Sequence, residues 1–207
     1  MLLVIESATA ACSAALLGAD GSVLDERHEI VGRGHAERLA PMVAELVGTR
    51  RPDAILVDCG PGSFTGVRVG LALAHGLAIG WGAELAGYSS LALLAAAAGA
   101  GSASAALQAG HGELFVQDYG GDPLVPLGDL RSLPPDEAAR AAQADLVVGS
   151  GAEALVAARG WGDARDLLPR AADVRLLPPA LRALVPRPIY GRAPDAKPAS
   201  GAAGPIR

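Results

Sequence analysis

The sequence predicts an α/β protein whose first half consists of three antiparallel strands followed by alternating helices and strands. Three apolar or alternating segments, near residues 1–5, 11–17 and 23–30, follow one another across short turns, which is typical of an antiparallel meander. Helical and strand patterns then alternate: a helix over about 34–47, a strand ending at Val57, a helix after Gly62, a strand over 84–88 and a helix capped by Ser89 or Ser90. Right-handed crossovers place the two later strands parallel to the first.

This order is that of the ribonuclease-H-like lobe shared by sugar kinases, actin and Hsp70. We therefore expect a two-lobed actin-like/Hsp70-like (ribonuclease-H-like) ATPase-superfamily fold with a reduced second lobe. Small residues from Gly99 to Ser104 mark the predicted domain boundary. The expected division is 1–98 for the ribonuclease-H-like lobe with its partner-binding helices, 99–190 for a smaller α/β lobe and 191–207 for a C-terminal tail. The second lobe is expected to hold strands over 105–109, 114–119 and 145–149, and helices opening at Pro134 and spanning 152–159.

The helix expected over residues 34–47 is amphipathic. Leu39, Met42, Val43 and Leu46 repeat at spacings of three and four residues, which gives one apolar stripe with the charged residues off it. Pro41 lies within this pattern and is expected to kink the helix or to mark its effective start.

The next helix follows a glycine-rich turn, the motif GPGSFTGVRVG of residues 60–70. The glycines permit a sharp turn, and Ser63 or Thr65 is expected to cap the helix by accepting from its free amides. Small residues recur at every fourth position of this helix: Gly66, Gly70, Ala74 and Ala78. Because glycine inside a helix costs about 1 kcal/mol against alanine, we expect this bare face to permit close packing, as in helix pairs with small residues at the contact.

Charge and composition limit the classes of partner. The net charge is −5, and Arg50-Arg51 is the only basic cluster, whereas nucleic-acid backbones are bound mainly by clustered Lys and Arg. A stand-alone nucleic-acid-binding module therefore conflicts with the acidic balance. Aromatic residues make up only 3% of the chain against 51% apolar residues, so alanine, leucine and valine must fill the core.

The sequence favours a cytoplasmic protein with no membrane partner. Only five apolar residues precede Glu6, with no basic segment ahead of them, which indicates a strand and not a signal peptide. The uncharged segment 85–112 is interrupted by serine and glycine, which favours a buried helix flanked by loops. Cys12 and Cys59 form no CxxC motif and are expected to be buried free thiols.

Several segments resemble the bacterial TsaB (YeaZ) proteins. They are VIES at 4–7, ACSAALL at 11–17, GHAERLAP at 34–41 and the glycine-turn motif extended through Leu71. YSSL at 88–91 and PIYGRAPDA at 188–196 continue the resemblance in family order. It covers residues 1–95 well and the remainder loosely, and the glycine-turn motif is long and specific.

The resemblance implies a part in making N6-threonylcarbamoyladenosine, a modification next to the anticodon of tRNA. The implied role is that of a non-catalytic scaffold that pairs with the paralogous transferase subunit TsaD and is needed for its activity, with the ATPase subunit TsaE joining the complex. We therefore expect TsaD and TsaE as partners, a possible homodimer when the chain is alone, and tRNA bound only through the complex. No cofactor, metal site or catalytic residue is expected.

The chain departs from the family pattern in two places. Glu6 stands where the family usually has aspartate, and QAGHGE at 108–113 replaces a run resembling Asp-Ala-Arg-x-x-Glu. The missing aspartate and arginine argue against independent chemistry in the second lobe.

The remaining motifs also argue against catalysis. The catalytic paralogue holds a metal through an HxxxH pair on a helix, and no two of His28, His35, His75 and His111 have that spacing. The same absence argues against a metalloprotease. No GxxxxGK[ST] loop occurs, GSG at 149–151 is the only glycine-rich candidate in the second lobe, and GPGSFTG is not the GxSxG elbow. A small ATP-dependent kinase or ATPase of the actin-like superfamily is the alternative function.

Two sets of candidate site residues result. The two helices are expected to form half of a helical bundle completed by TsaD or by a second copy, with interface residues His35, Leu39, Met42, Val43, Leu46, Phe64, Gly66, Arg68, Gly70 and Ala74. Nucleotide-facing candidates lie at the turn after the first strand and at the helix start that could hold an anion: Glu6, Ser7, Thr9, Gly62 and Ser63. Their alternative roles are a polar strand end and a helix cap.

Overall fold

The computed structural model describes residues 1–191, so the predicted C-terminal tail lies outside the described residues except for Gly191. Within that part the strands are β1 Leu2–Glu6, β2 Ala11–Leu17, β3 Val23–Ile30, β4 Ala54–Asp58, β5 Glu84–Tyr88, β6 Ser102–Gln108, β7 Leu114–Gly120, β8 Val125–Pro126, β9 Arg131–Leu133, β10 Leu146–Val148 and β11 Asp163–Arg165. The α-helices are α1 His35–Val47, α2 Phe64–Trp81, α3 Ser90–Ala97, α4 Pro135–Ala141 and α5 Ala152–Arg159. Short 3-10 helices span Gly110–Gly112, Ala171–Leu176 and Pro179–Arg182.

The first sheet confirms the predicted antiparallel meander and the predicted parallel direction of the two later strands. Its order is β3-β2-β1-β4-β5, with β1 antiparallel to β2, β2 antiparallel to β3, and β4 parallel to both β1 and β5. The parallel pairs follow from the helical crossovers α1 and α2, as predicted. This arrangement is the ribonuclease-H-like lobe.

Both faces of this sheet are buried, and each faces a different layer. Because side chains alternate along a strand, Leu3 and Ile5 point to one face and Val4 to the other. The face with Leu3 and Ile5 packs against the apolar sides of α1 and α2. The face with Val4 packs against α3 and the second sheet. All seven residues of β2 are buried for the same reason.

Helix α1 runs without a break through Pro41, from His35 to Val47. The predicted start of the helix at this proline is therefore wrong, because the helix begins six residues earlier, and the predicted kink stays a prediction. Pro41 is exposed, so its ring lies away from the sheet. The apolar stripe of the helix continues across it.

The second sheet has the order β11-β10-β6-β7-β8, with β9 also paired to β7. It shares one hydrophobic core with the first sheet, because α3 lies between Val4 and Leu56 of the first sheet and Ala105 and Val148 of the second. Strand β6 begins at Ser102, so the loop between the sheets is shorter than the predicted boundary segment. The division at residues 98 and 99 stays a prediction.

The last described segment returns to the first sheet. The 3-10 helix Ala171–Leu176 packs against β1 and β2, and the Ala171 amide donates to Ser13 Oγ at 3.1 Å. Farther on, Leu184 pairs with Gly87 of β5 through two backbone hydrogen bonds of 2.8 and 3.0 Å. We name residues 184–190 the C-terminal strap. The strap contacts the first lobe although the predicted division places it in the second.

Candidate partner-binding site

Helix α2 begins at a tight turn that ties it to the loop between β1 and β2. Ser63 Oγ accepts a hydrogen bond from the Gly66 amide at 3.2 Å, so Ser63, of the two predicted caps, is the one that caps the helix. The Ser63 amide donates to the carbonyl oxygen of Ala8 at 2.6 Å. The side-chain cap predicted for α3 is not formed: Ser89 occupies the N-cap position without a side-chain bond to the helix.

The small-residue face of α2 packs against its own lobe. Gly66, Gly70 and Ala74 are buried, and Ser7 Oγ donates to the carbonyl oxygen of Gly66 at 3.0 Å. A Cβ atom on Gly66 would overlap the carbonyl oxygen of Ser7, and one on Gly70 would overlap Ser7 Oγ. The close approach that these glycines permit is therefore made with the end of β1. Gly66, Gly70 and Ala74, predicted as interface residues, are not accessible to a partner.

The predicted interface residues of α1 also lie in the core. None of them is more than 3% exposed: His35, Leu39, Met42, Val43 and Leu46. The apolar stripe of an amphipathic helix faces the sheet of its own lobe, and these side chains pack with Leu3, Ile5 and the buried side of α2. The prediction that they contact a partner is therefore corrected.

The opposite side of α2 is open to solvent and nearly uncharged. It is formed by residues spaced three or four apart, which we name the outer face: Thr65, Arg68, Ala72, Gly76 and Ile79. Ile79 is 84% exposed, and Arg68 is the only Asp, Glu, Lys or Arg in the helix. Exposed apolar patches mark interaction surfaces in soluble proteins, and here the patch combines Ile79 with the small residues Ala72 and Gly76. The outer face is thus the surface of α2 that a partner can reach.

An aromatic–arginine stack lies at the N-terminal end of the outer face. The Arg68 guanidinium carbon lies 3.2 Å from the centroid of the Phe64 ring and 5.6 Å from that of Tyr190. Arg68 also donates to the Tyr190 hydroxyl at 2.7 Å. Phe64 is 68% and Tyr190 61% exposed. Of the predicted interface residues, Phe64 and Arg68 are the two that lie on this accessible surface.

Two carboxyl groups are buried where β1 and β4 end. Glu6 and Asp58 have no exposed surface, and Ser90 Oγ lies 3.3 Å from Oδ1 of Asp58 and 3.3 Å from both carboxyl oxygens of Glu6. The backbone amides of Ser7 and Gly60 each donate to Asp58 at 2.9 Å. The three polar side chains thus join the ends of β1 and β4 to the start of α3.

Glu6 has fewer donors than Asp58. It accepts from the Ala8 amide at 2.9 Å and from the Tyr88 hydroxyl at 3.2 Å. Burial, and then the charge of Asp58, raise the pKa of Glu6 well above its usual range. Burial also raises the pKa of Asp58, while its two backbone amide donors oppose the rise. We infer that the pair holds one proton, on Glu6, and that Asp58 carries the charge, because hydrogen bonds to the ionised form favour ionisation.

The residues predicted to face a nucleotide are used inside the lobe. Glu6 and Ser7 are fully buried, and Thr9 Oγ1 accepts from the Ala11 amide at 3.2 Å. Gly62 packs so closely on Ala8 that a Cβ atom would overlap the carbonyl oxygen of Ala8. Ser63 is the helix cap. For Glu6 and Ser7 the structure corrects the prediction, because neither side chain reaches solvent.

The C-terminal strap lies beside the carboxyl ends of β4 and β5. Open α/β sheets bind ligands in the crevice outside the carboxyl ends of their parallel strands. Here the Ile189 amide donates to the carbonyl oxygen of Cys59, directly after β4, at 2.8 Å. Leu184 pairs with Gly87 near the end of β5. The backbone of the strap thus occupies backbone hydrogen-bonding groups at the carboxyl-end edge of the first sheet.

Sequence reasoning missed Asp58, Ser90 and Tyr190. A signal existed for the first two: with Glu6, they follow three neighbouring parallel strands, and polar residues at such strand ends meet at one edge of the sheet. No local signal places Tyr190 beside Arg68, since 122 positions separate them. Among residues 1–191 no group of three or more His, Cys, Asp or Glu side chains is placed to hold a metal ion.

In the described part of the chain, α2 alone is long and apolar enough to cross a membrane by length and composition. Five of its residues are buried against the lobe: Gly66, Val67, Gly70, Leu71 and Ala74. It is therefore a core helix with one solvent-facing side.

The sheet order and the helices packed on it define an actin-like, ribonuclease-H-like α/β protein. Comparison with known proteins narrows this class. The family model of TsaD, tRNA N6-adenosine threonylcarbamoyltransferase, matches residues 27–129. The structure of YeaZ from Pseudomonas aeruginosa is 32% identical, with a TM-score of 0.72 over 84% of this chain and 88% of that one. A second structure from P. aeruginosa, described as an uncharacterized protein with similarity to peptidase YEAZ, is 32% identical, with a TM-score of 0.76 over 92% of this chain and 99% of that one.

The chain therefore belongs to the TsaB/YeaZ family. Among curated relatives, the tRNA threonylcarbamoyladenosine biosynthesis protein TsaB of Escherichia coli K12 is 40% identical over 127 residues. That match covers 57% of this chain and 54% of the relative, about half the length of each.

Proposed function

We propose that the chain is a non-catalytic subunit of the bacterial machinery that makes N6-threonylcarbamoyladenosine in tRNA, and that it acts by docking on TsaD. Family membership supports the pathway, and the match of residues 27–129 to the TsaD family model supports a structural kinship with the transferase itself. TsaE, the ATPase, is the second proposed partner. The proposed location is the cytoplasm, where tRNA is modified.

The single observation that carries this proposal is the outer face of α2. It exposes Ile79 almost completely, presents Ala72 and Gly76 without bulk, and holds only one charge. Small side chains allow a partner helix to approach closely. Burying the apolar surface of this face in the complex would contribute about 25 cal/mol of binding free energy per Å². A related lobe of TsaD, with an equivalent helix, supplies a matching surface in a pseudo-symmetric pair.

The buried carboxyl pair also supports a structural role. Glu6 and Asp58 stand at the strand ends where a nucleotide-binding relative would place groups facing a ligand, yet both are enclosed and satisfied by hydrogen bonds from the lobe itself. The geometry thus offers no support for the alternative of a small kinase or ATPase. The net charge of −5 favours tRNA contact through the complex and not through this chain alone.

The experiment is a reconstitution of threonylcarbamoyl transfer with this chain, TsaD and TsaE encoded by the same genome, tRNA, ATP and a preformed activated donor, threonylcarbamoyl adenylate, whose adenylate is the leaving group. We expect no modified nucleoside with this chain alone, little with TsaD and TsaE, and full transfer when all three are present. Transfer by this chain alone, or equal transfer by TsaD and TsaE without it, would overturn the proposal. A filter-binding titration with tRNA is the companion measurement, with an expected dissociation constant for the isolated chain no tighter than about 10⁻⁶ M at physiological salt.

A further inference from the structure

The stack of Phe64, Arg68 and Tyr190 is not required by the packing of this chain. Both aromatic rings are more than half exposed, at 68% for Phe64 and 61% for Tyr190. Large apolar side chains are usually buried, so a cluster of them exposed to solvent calls for an explanation other than the packing of the core. Tyrosine and arginine are also the residue types that dominate binding energy at protein interfaces.

Arg68 is held in one place by two contacts. Its guanidinium lies on the Phe64 ring, 3.2 Å from the centroid, and donates to the Tyr190 hydroxyl at 2.7 Å. A guanidinium has five N–H donors, and within residues 1–191 no carboxylate forms an ion pair with Arg68. Stacking on an aromatic ring leaves the planar edge of a guanidinium ready for a bidentate carboxylate.

Tyr190 is itself anchored. Its neighbour Ile189 donates its amide to the carbonyl oxygen of Cys59 at 2.8 Å, and the strap that carries it is paired to Gly87 through Leu184. The ring and hydroxyl of Tyr190 are therefore placed before any partner arrives. Pre-placed side chains reduce the ordering cost of binding.

We propose that Phe64, Arg68 and Tyr190 form a preorganised receptor for a carboxylate of a protein partner that lies along the outer face of α2. The inference rests on the proposed docking function and adds the chemistry of the partner. Covering Arg68 without an acid would bury an unpaired charge, which is strongly unfavourable. The partner segment must therefore present an aspartate or glutamate among small or apolar side chains.

The same charge argument selects a different protein over a second copy of this chain. Residues 64–81 contain no aspartate or glutamate. In a two-fold contact of α2 with α2, each Arg68 would meet a helix that has no carboxylate. The outer face is thus better matched to a partner helix of another protein, and TsaD is the probe to use.

The test is the affinity for TsaD, measured by isothermal titration at two salt concentrations. Arg68→Met keeps the stem and removes the charge, and we expect binding at least about 30-fold weaker, with a smaller salt dependence, as for truncation of one member of a buried charge pair. Tyr190→Phe keeps the ring and removes only the hydroxyl, and we expect a loss of about 2- to 10-fold, the range of one hydrogen bond. Arg175→Met, at an exposed position on the 3-10 helix Ala171–Leu176, is the matched control and should bind like the unmodified chain.

The outcomes separate the two proposals. If the unmodified chain does not bind TsaD, the proposed function and this inference both fail. If it binds and Arg68→Met binds within twofold, only the carboxylate receptor fails, and docking through other residues stands. A homodimer of the unmodified chain that Arg68→Met dissociates, seen by sedimentation, would also overturn the inference, since the acid would then come from a second copy. If Arg68→Met unfolds at a lower temperature than the unmodified chain, Tyr190→Phe is the deciding variant. An affinity of Tyr190→Phe for TsaD equal to that of the unmodified chain would then contradict the carboxylate receptor.

Discussion

The buried carboxyl pair gives the sharpest stability prediction, because its two members should respond oppositely to the same chemical change. Asp58 accepts backbone N–H groups on both of its oxygens, from Ser7 on Oδ2 and from Gly60 on Oδ1, each at 2.9 Å. In Asp58→Asn, whichever way the amide is turned, its NH₂ group faces one of these donors. One buried N–H then loses its acceptor, at about 1–3 kcal/mol, and the other bond loses its charge, at about 1 kcal/mol more. We expect a total near 3 kcal/mol.

Glu6→Gln should be nearly neutral. If Glu6 is the protonated member, glutamine reproduces it: the carbonyl oxygen accepts from the Ala8 amide, and the NH₂ group replaces Oε2 beside Ser90. The Tyr88 hydroxyl, which donates to Oε2 in the unmodified chain, keeps its bond to the carbonyl oxygen of Ile5 at 2.9 Å and can accept from the NH₂ group. We expect a change within about 1 kcal/mol, as for a substitution that leaves every buried donor and acceptor satisfied. The exposed Asp129→Asn is the control and should change stability by less than about 0.5 kcal/mol.

The pH dependence has a definite sign. Because the folded-state pKa of Glu6 is raised above its unfolded value near 4.5, the native state keeps a proton that the unfolded chain releases. This contribution is complete below the unfolded pKa and is lost as pH rises through the folded one, with a slope of at most about 1.4 kcal/mol per pH unit. Glutamine has no proton to lose, so Glu6→Gln should gain stability relative to the unmodified chain as pH rises above 5. Urea unfolding followed by circular dichroism between pH 5 and 8 measures both effects. Equal costs for Asp58→Asn and Glu6→Gln would refute the assignment of the proton.

Three further predictions concern packing, capping and a second titrating group. Gly66→Ala should lower stability by at least about 1–3 kcal/mol, because its Cβ would overlap a backbone oxygen. Gly76→Ala should raise stability by about 1 kcal/mol, because its Cβ would meet no atom within 4 Å in the described part of the chain beyond its own helix backbone. Thermal unfolding of the two variants decides, and equal shifts in melting temperature would contradict the packing. Ser63→Ala should lower the free energy of unfolding by about 1 kcal/mol because the helix cap is lost, and Thr65→Ala should lower it much less. Denaturant midpoints in the reverse order would contradict the assignment of the cap to Ser63. Burial and the nearby Arg170 guanidinium lower the pKa of His28, whose Nδ1 has no hydrogen-bond partner among residues 1–191. The fold therefore favours the neutral ring and should lose stability as pH falls from 6.5 through the folded pKa. His28→Gln should lack this loss, and parallel pH curves for the two chains would disprove it.

Periodicity was enough to predict where most elements lie. The predicted bounds of β2, β3, β5 and α5 coincide with those observed, because each segment is bounded by turn residues and carries a clear pattern. The parallel direction of β4 and β5 relative to β1 followed from the crossover connections.

Periodicity was not enough to decide which side of α2 is buried. The helix is apolar nearly all round, so its small face and its larger apolar residues both fit a buried position. The structure buries Gly66 and Gly70 because the end of β1 approaches them, and leaves Ile79 in solvent. That choice depends on the path of the loop after β1, which no pattern within α2 encodes.

Contacts between distant segments were also beyond the sequence. The Arg68–Tyr190 bond and the Glu6–Ser90–Asp58 cluster join residues separated by 122, 84 and 32 positions. Each side chain alone is compatible with an ordinary surface or strand-end position. Only the packed fold brings them together.

The central claim is that partners dock on the outer face of α2 and not on the buried faces of α1 and α2. The most direct test is the affinity of Ala72→Glu for TsaD, with Ala157→Glu on the exposed side of α5 as the control. Ala72 lies in the middle of the outer face and is exposed, so glutamate there should leave the melting temperature within a few degrees while burying an unpaired charge in the complex. We expect binding at least about 30-fold weaker for Ala72→Glu, as for other uncompensated charges at interfaces, and unchanged binding for Ala157→Glu. Undiminished affinity of a normally folded Ala72→Glu chain would contradict the account.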